Sequence, residues 1–321
     1  MKQAAPTAVV LAQPKVRKRT SEYRKYAPLL LMMIPGLLYF LFNNYLPMLG
    51  IVIAFKDINF AKGILNSDWI GLANFEYLFK TSDAYIITRN TILYNVFFIV
   101  VGTVLSLATA IMLNEIKQKV LMKTYQAIIT LPHLISMVIV SYLVFAVLGP
   151  ETGFLNRTVL PWFGNEEGIS WYTEASYWPT ILTLVHFWKG VGFSSIVFFA
   201  ALVGIDEEYF EAARLDGANR WQQILHITLP MLMPVIIILT LLAVGRIFYS
   251  DFGLFYQVPL NSGALFETTS TIDTYVFNGL LGHGDIGMST AAGVYQSIVG
   301  FILVLLANYT VRVYSKENAL F

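Results

Sequence analysis

The sequence contains no cysteine and little charge. Without cysteine, disulfide bonds, thiolate metal sites and a cysteine nucleophile are all excluded. Charged residues make up 13% of the chain and hydrophobic residues 56%, whereas a typical soluble domain carries about 25% charged residues. This deficit of charge indicates that most of the chain faces lipid or other apolar helices.

Patterns for metal binding and for ATP binding are also missing. The four histidines are scattered and show no metal-ligand spacing, such as a pair four residues apart with a glutamate. No Gly-x-x-x-x-Gly-Lys-Ser/Thr loop, which cradles the phosphates of a nucleotide, occurs in the sequence. We therefore expect that the chain is not an enzyme, that it binds no cofactor of its own, and that nucleic acid is not a partner.

The first 25 residues are strongly basic, with seven lysines and arginines. The apolar run that follows, from Tyr26 to Phe55, has 30 residues without a charge. The core of a signal peptide is only about 7–15 residues long. The run is therefore predicted to be a membrane span, preceded by a basic cytoplasmic tail over 1–25.

Six apolar stretches are long enough to cross a bilayer, which takes about 20 residues. Apart from Arg312 near the end of the last stretch, Lys189 and Arg246 are the two charges within them. The sequence therefore predicts an all-α, polytopic membrane protein with one six-helix transmembrane domain over 26–321. The predicted spans are 27–55, 90–114, 124–149, 177–205, 227–249 and 290–314, with a loop at 206–226.

Lysine and arginine are divided unevenly between the two sides of the predicted membrane. With the N-terminus inside, fourteen of them lie in cytoplasmic segments and five in outer loops. Because basic residues accumulate on the cytoplasmic side, both termini are predicted to be cytoplasmic. The chain is expected to be a multi-pass protein of the cell membrane, in contact with lipid.

The loop between the fourth and fifth predicted spans carries signals for two short helices. Asp206 is a good N-cap residue, and two glutamates follow in the first turn, where the helix dipole favours them. Gly217 suits the position just after a helix end, where a left-handed backbone is common. Asn219 can then cap a second helix that continues into the fifth span. The pattern predicts a short amphipathic helix, a sharp bend and another helix.

The same loop resembles the signature of permeases of binding-protein-dependent ABC importers. That signature reads Glu-Ala-Ala, three residues, Gly, nine residues, Ile, one residue, Leu-Pro. The variant Asp-Gly-Ala around Gly217 is similar to the carbohydrate-uptake subgroup. The runs Lys-Tyr-Ala-Pro-Leu-Leu-Leu-Met and Arg-Ile-Phe-Tyr-Ser-Asp-Phe resemble permeases for complex oligosaccharides, including aldouronate. The matching positions are Glu211, Ala212, Ala213, Gly217, Ile227, Leu229 and Pro230.

The resemblance implies a type I ABC importer permease, in which this loop is a coupling helix that docks on an ATPase. Glu211 would pair with a basic residue of that ATPase, and Gly217 would permit the turn. The implied partners are a second six-span permease, two cytoplasmic ATPase subunits that use ATP-Mg, an extracellular solute-binding protein and a sugar. The residues assigned to ATPase coupling are Glu211, Ala212, Ala213, Asp216, Gly217, Leu229 and Pro230.

Polar groups within membrane spans are costly and usually functional. A sugar offers hydroxyl groups and flat ring faces, so its path needs hydrogen-bonding and aromatic side chains. Lys189 could instead extend its amine to the interface or pair with a partner carboxylate, and Arg246 could pair with Asp251. The predicted substrate-pathway residues are Asn43, Asn44, His186, Trp188, Lys189, Arg246, Tyr249 and Asp251.

Several functions compete for a membrane protein of this kind. A secondary transporter is expected to hold carboxylates within its spans, but the six predicted spans contain no Asp or Glu. A channel leaves the signature loop unexplained, and an importer permease for a solute other than sugar stays open. The sequence therefore predicts a permease subunit of an ATP-driven importer that translocates a sugar or oligosaccharide, with polysaccharide fragments among the candidate solutes.

Overall fold

The computed structural model describes residues 20–164, 167–281 and 285–314. Most of the predicted basic tail, His283 and the C-terminal end beyond residue 314 lie outside the described residues. Among the described residues, five helices are long and apolar enough to cross a membrane, and a bent pair of helices makes a sixth crossing if it is counted as one span. The described chain is therefore dominated by helices, as expected.

The first unit ends at Gly50, and its described part, residues 20–50, is helical throughout. It contains α1 (Thr20–Phe40), a π turn (Leu41–Tyr45) and α2 (Leu46–Met48), followed by a 3-10 helix (Leu49–Phe55). The helical run from Tyr26 to Phe55 is continuous but irregular. The irregularity takes the form of the π turn, because Pro47 has no N–H to offer the preceding turn.

A short hairpin opens the second unit, Ile51–Phe321. Strand β1 (Lys56–Asp57) pairs antiparallel with β2 (Asp68–Trp69), with Lys56 opposite Trp69. Helix α3 (Ala73–Lys80) follows. The Asn74 side chain fastens α3 to the chain before it, donating to the carbonyls of Ala54 at 2.9 Å and Lys56 at 3.1 Å.

The second and third predicted spans both differ from expectation. Helix α4 (Ser82–Asn114) begins eight residues before the predicted start at residue 90. The third stretch, predicted as one span over 124–149, is instead two helices, α5 (Lys119–Leu134) and α6 (Met137–Leu148), bent by 94°. The backbone is extended at Ile135 and Ser136, and the Ser136 hydroxyl caps α6 by accepting from the Ile139 N–H at 3.4 Å.

The remaining helices complete the second unit. A short helix, α7, lies in the outer loop, and α8 is the fourth predicted span. The predicted fifth span and the helix predicted to lead into it after Asn219 form one helical run from Arg220 to Val244, made of α10, a π turn and α11. The bounds are α7 (Leu160–Trp162), α8 (Trp178–Val203), α9 (Glu207–Leu215), α10 (Arg220–Gln223), α11 (Leu229–Val244), α12 (Phe266–Thr269), α13 (Ile272–Leu281) and α14 (Ile286–Tyr314).

Two apolar clusters hold the second unit together. The first packs α4 and α8 around the fully buried Trp178 and Leu182, together with Leu254 from the turn after α11. The second joins α3, α4, α13 and α14 around Ile87 and Ile272. Helix α4 takes part in both clusters. It therefore forms the centre against which the elements of the candidate sites are positioned.

Candidate functional site

The signature loop folds as two short helices with a sharp turn between them. Asp206 is the N-cap of helix α9, and its Oδ1 accepts a hydrogen bond from the Glu208 N–H at 3.2 Å. The helix ends at Leu215, and Gly217, two residues further on, has φ of +79°. The Gly217 N–H donates to the Arg214 carbonyl at 3.1 Å, and the Ala218 N–H donates to the Ala213 carbonyl at 2.9 Å. This pair of bonds is a Schellman motif, which closes the helix.

Helix α10 begins directly after that turn, and its first turn is also closed by hydrogen bonds. The Asn219 Oδ1 accepts from the Gln222 N–H at 2.9 Å, and the Gln222 Oε1 accepts from the Asn219 N–H at 2.7 Å. This reciprocal pair is a capping box. The buried Gln223 side chain adds a bond from Nε2 to the Ala218 carbonyl at 3.0 Å. Both sides of the turn are therefore fixed by local hydrogen bonds.

The predicted coupling residues lie in three places. Ala213, Asp216 and Gly217 line a groove of about 370 Å³ at the turn. Glu211 and Ala212 are exposed on α9, a helix with no buried residue. The remaining two coupling residues lie in the first turn of α11 and do not line this groove: Leu229 and Pro230.

The loop is also tied to the end of α4. The Arg220 guanidinium lies 3.5 Å from the Glu115 carboxylate, in an exposed ion pair. A second cleft of about 340 Å³ separates the loop from the α4–α5 link and is lined by charged side chains from both. An exposed pair contributes at most about 1 kcal/mol to stability. The pair marks the place where the loop meets the helix at the centre of the fold.

A larger cleft of about 630 Å³ lies between α4, α8 and the segment that follows α11. Its apolar lining includes Phe98 and Phe187, and its polar lining comes from all three elements. Four of the predicted substrate-pathway residues come together here. The main polar lining residues are Asn95, His186, Ser194, Arg246, Tyr249 and Asp251.

The two charged groups of this cleft are not paired with each other. The Arg246 side chain is exposed, and among the described residues it has no hydrogen bond or ion pair. Asp251 instead begins the next turn, its Oδ1 accepting from the Leu254 N–H at 3.2 Å. The alternative in which Asp251 neutralises Arg246 is therefore not the arrangement seen. The five N–H donors of Arg246 remain available to the cleft.

The segment carrying Arg246, Tyr249 and Asp251 is held by side chains that the sequence did not single out. The Asn95 Nδ2 donates to the carbonyls of Ile247 at 2.9 Å and Tyr249 at 3.2 Å. The Asp273 Oδ2 accepts from the N–H and the hydroxyl of Ser250, each at 2.7 Å.

The buried Gln296 completes this support. Its Nε2 donates to the Phe248 carbonyl at 2.6 Å and to the Asp273 Oδ1 at 3.1 Å. The sequence signal for such residues is weak, because an amide within an apolar span does not reveal its partner. Together with Asn95 and Asp273, Gln296 satisfies backbone groups left open where α11 ends.

The other predicted pathway residues are placed differently. The His186 ring does reach the cleft, stacked on Phe98 with centroids 3.7 Å apart. Trp188 and Lys189 lie on the same helix but do not line the cleft, and the Lys189 ammonium donates to backbone carbonyls near the end of α5. Asn43 and Asn44 belong to the first unit, where the Asn43 Nδ2 donates to the Tyr39 carbonyl at 3.0 Å.

Comparison with known proteins finds one matching family model and several similar proteins. A family model described as "binding-protein-dependent transport system inner membrane component" matches residues 102–315. The chain is 36% identical to protein LplB of Bacillus subtilis (strain 168), over 90% of both chains. It is 34% identical to the polygalacturonan/rhamnogalacturonan transport system permease protein YteP of the same organism, over 98% of this chain and 97% of that one.

Chains in solved ABC transporter structures have a similar fold. The crystal structure of a bacterial ABC transporter involved in the import of the acidic polysaccharide alginate contains a similar chain, with a TM-score of 0.84 and 31% identity. The match covers 93% of this chain and 100% of that chain. A second structure of a bacterial alginate ABC transporter, in complex with a pentasaccharide-bound periplasmic protein, matches with a TM-score of 0.83 and 31% identity.

Proposed function

This chain belongs to the family of binding-protein-dependent transport system inner membrane components, and we propose that it is the permease subunit through which an oligosaccharide is imported. The observation that carries the proposal is a polar and aromatic cleft joined to a coupling loop by one helical run, Arg220 to Val244. The cleft provides a path for solute. The loop provides a surface on which another protein can act.

We propose that the energy for import comes from another protein, which binds the exposed face of α9. No residue of this helix is buried, and Leu215 is 89% exposed. Ala212 and Ala213 leave a shallow surface that allows close approach. We therefore assign this face to one of two cytoplasmic ATPase subunits that use ATP-Mg. A second six-span permease would complete the pathway, and an extracellular solute-binding protein would deliver the solute.

The chemistry of the cleft favours a carbohydrate over other solutes. The exposed Tyr249 and the half-buried His186 offer ring faces beside hydrogen-bonding groups, which suits the alternating apolar and hydroxyl faces of a sugar. The relatives named for polygalacturonan and alginate transport support an oligosaccharide derived from a polysaccharide. Arg246 could bind hydroxyl groups, or the carboxylate of an acidic sugar through two parallel hydrogen bonds.

Replacement of Arg246 by lysine tests the contact with substrate. We expect uptake to fall about tenfold, because hydrogen bonds to a charged group contribute about 1.5–3 kcal/mol and lysine lacks the planar fork. Assembly and basal ATPase activity should be unchanged, while stimulation by loaded binding protein should fall. Uptake of a labelled oligosaccharide and ATPase activity in proteoliposomes measure these effects.

The matched control is Arg157→Lys in the outer loop, an exposed arginine in the π turn before α7. This variant should transport normally. If Arg246→Ala retained full assembly and full substrate-stimulated uptake, Arg246 would have no part in the pathway. A loss of assembled complex in Arg246→Ala would indicate a structural role instead.

The orientation of the chain can be tested because it has no cysteine of its own. Leu65, in the β1–β2 loop, and Leu215, at the end of α9, are 87% and 89% exposed. With both termini cytoplasmic, a membrane-impermeant thiol reagent should label Leu65→Cys in intact cells but Leu215→Cys only after permeabilisation. Labelling of both variants from the same side would contradict the proposed topology.

A further inference from the structure

The bend in the third span exposes polar backbone groups. Helix α5 ends at Leu134, and the chain turns through 94° before α6 begins at Met137. The last carbonyls of a helix have no N–H partner within it. Within a membrane, such groups must find donors from elsewhere in the protein.

Lys189, on the neighbouring helix α8, provides those donors. Its Nζ donates to the carbonyls of His133 at 2.9 Å and Pro132 at 3.3 Å, and to that of Ile135. A protonated lysine has three N–H donors, so the ammonium is fully used by three carbonyls. Its positive charge also complements the negative end of the α5 dipole.

The contact extends along one face of α8. Gly192, one turn further on, is buried so closely against the Ile129 carbonyl that a Cβ would overlap it. The Phe193 ring stacks on the His133 ring with centroids 4.1 Å apart and an interplanar angle of 6°. On both helices the contacting positions are spaced by three and four residues, so each presents one continuous face.

The far side of the bend touches the segment that lines the cleft. A Cβ on Gly253 would lie 2.7 Å from the Met137 Cγ, so the first turn of α6 packs directly on this glycine. Gly253 follows Asp251, whose carboxylate lines the cleft and caps the same turn. A change in the α5–α6 angle would therefore move a wall of the cleft.

We propose that Lys189 is a positioning residue for transport and does not contact the sugar. Its ammonium caps α5 and holds the angle between α5 and α6, which in turn positions Gly253 and, two residues before it, Asp251 in the wall of the cleft. The transport part of this inference rests on the proposed importer function. The geometric part does not, because the angle can be measured without any solute.

Spin labels can report the angle directly. Tyr125 on α5 and Tyr142 on α6 are 48% and 67% exposed. They can be changed to cysteine in a complex whose partner chains lack cysteine. In Lys189→Met the distance between the labels should shift or broaden by several ångströms without sugar, and uptake should fall about tenfold or more, because three carbonyls at the bend lose their charged donor. Lys189→Arg should restore both readouts, and Lys123→Met on the exposed face of α5 should change neither.

Each result decides for or against the proposal. Loss of uptake with an unchanged distance would overturn it, since that is the behaviour of a direct substrate contact. A changed distance with normal uptake would also overturn it. If Lys189→Met does not assemble, Lys189→Gln, which keeps two donors, should give an intermediate shift, and an unchanged distance there counts against the proposal. If the complex imports no oligosaccharide at all, the distance still tests the cap while the proposed function fails separately.

Discussion

Replacement of Gly217 by proline should abolish transport while the chain still inserts into the membrane. Gly217 has φ of +79° and donates its N–H to the Arg214 carbonyl at 3.1 Å. Proline fixes φ near −65° and has no N–H, so both features of the turn are lost. The face of α9 is then displaced relative to α10. Loss of a charged contact at an interface costs about 2–5 kcal/mol, which corresponds to a fall in ATPase binding of at least about 30-fold.

Two further variants separate the turn from the docking contact. Asparagine tolerates a positive φ and keeps its N–H, and there is open space around Gly217, so Gly217→Asn should retain most uptake. Glu211→Ala leaves the turn intact but removes the exposed carboxylate of α9, and should weaken ATPase binding as strongly as the proline. Co-purification of the ATPase and oligosaccharide uptake measure these effects. Normal uptake by both Gly217→Pro and Glu211→Ala would end the coupling-helix interpretation.

Replacement of Gly192 by alanine should destabilise the packing of α8 on α5. The added Cβ would overlap the Ile129 carbonyl oxygen, which belongs to the backbone, so the two helices must separate. Overpacking costs about 1–3 kcal/mol, and the Lys189 cap lies one turn away on the same face. We expect a lower melting temperature of the purified complex and a reduced yield.

Gly190 provides a matched control on the same helix. A Cβ at this position meets nothing within 4 Å. Alanine within a helix is favoured over glycine by about 0.5–1 kcal/mol, so Gly190→Ala should leave the melting temperature unchanged or raise it. The two alanine variants therefore have opposite expected signs. Equal melting temperatures would show that the close approach at Gly192 is not maintained in the protein.

Helix caps and turns that depend on neighbouring residues were predicted correctly from the sequence. The N-caps at Asp206 and Asn219 are confirmed by their hydrogen bonds, because each acts within three residues of itself. The left-handed Gly217 is confirmed for the same reason. The predicted family and the all-α permease fold are also confirmed. These features depend on short spacings that a single segment contains.

Features that depend on distant partners could not be read in this way. The bend after Leu134 lies within a charge-free apolar run, and the Ile135-Ser136 pair is equally compatible with a helix. The lysine that stabilises the bend is 54 to 57 residues away from the carbonyls it contacts. Asn95 likewise reaches carbonyls 152 and 154 residues further on. Hydrophobicity identifies such residues as costly but does not identify their partners.

The continuous helical run from Arg220 to Val244 has a geometric consequence. Its 25 residues span about 37 Å at about 1.5 Å per residue. The turn at its start is closed on both sides by hydrogen bonds, which oppose unwinding when the turn is displaced. If this run rotated by about 10° around its first residue, its last residue would move roughly 6 Å sideways, because the run is about 37 Å long. Arg246, two residues beyond, would then travel a distance comparable to the width of one sugar ring.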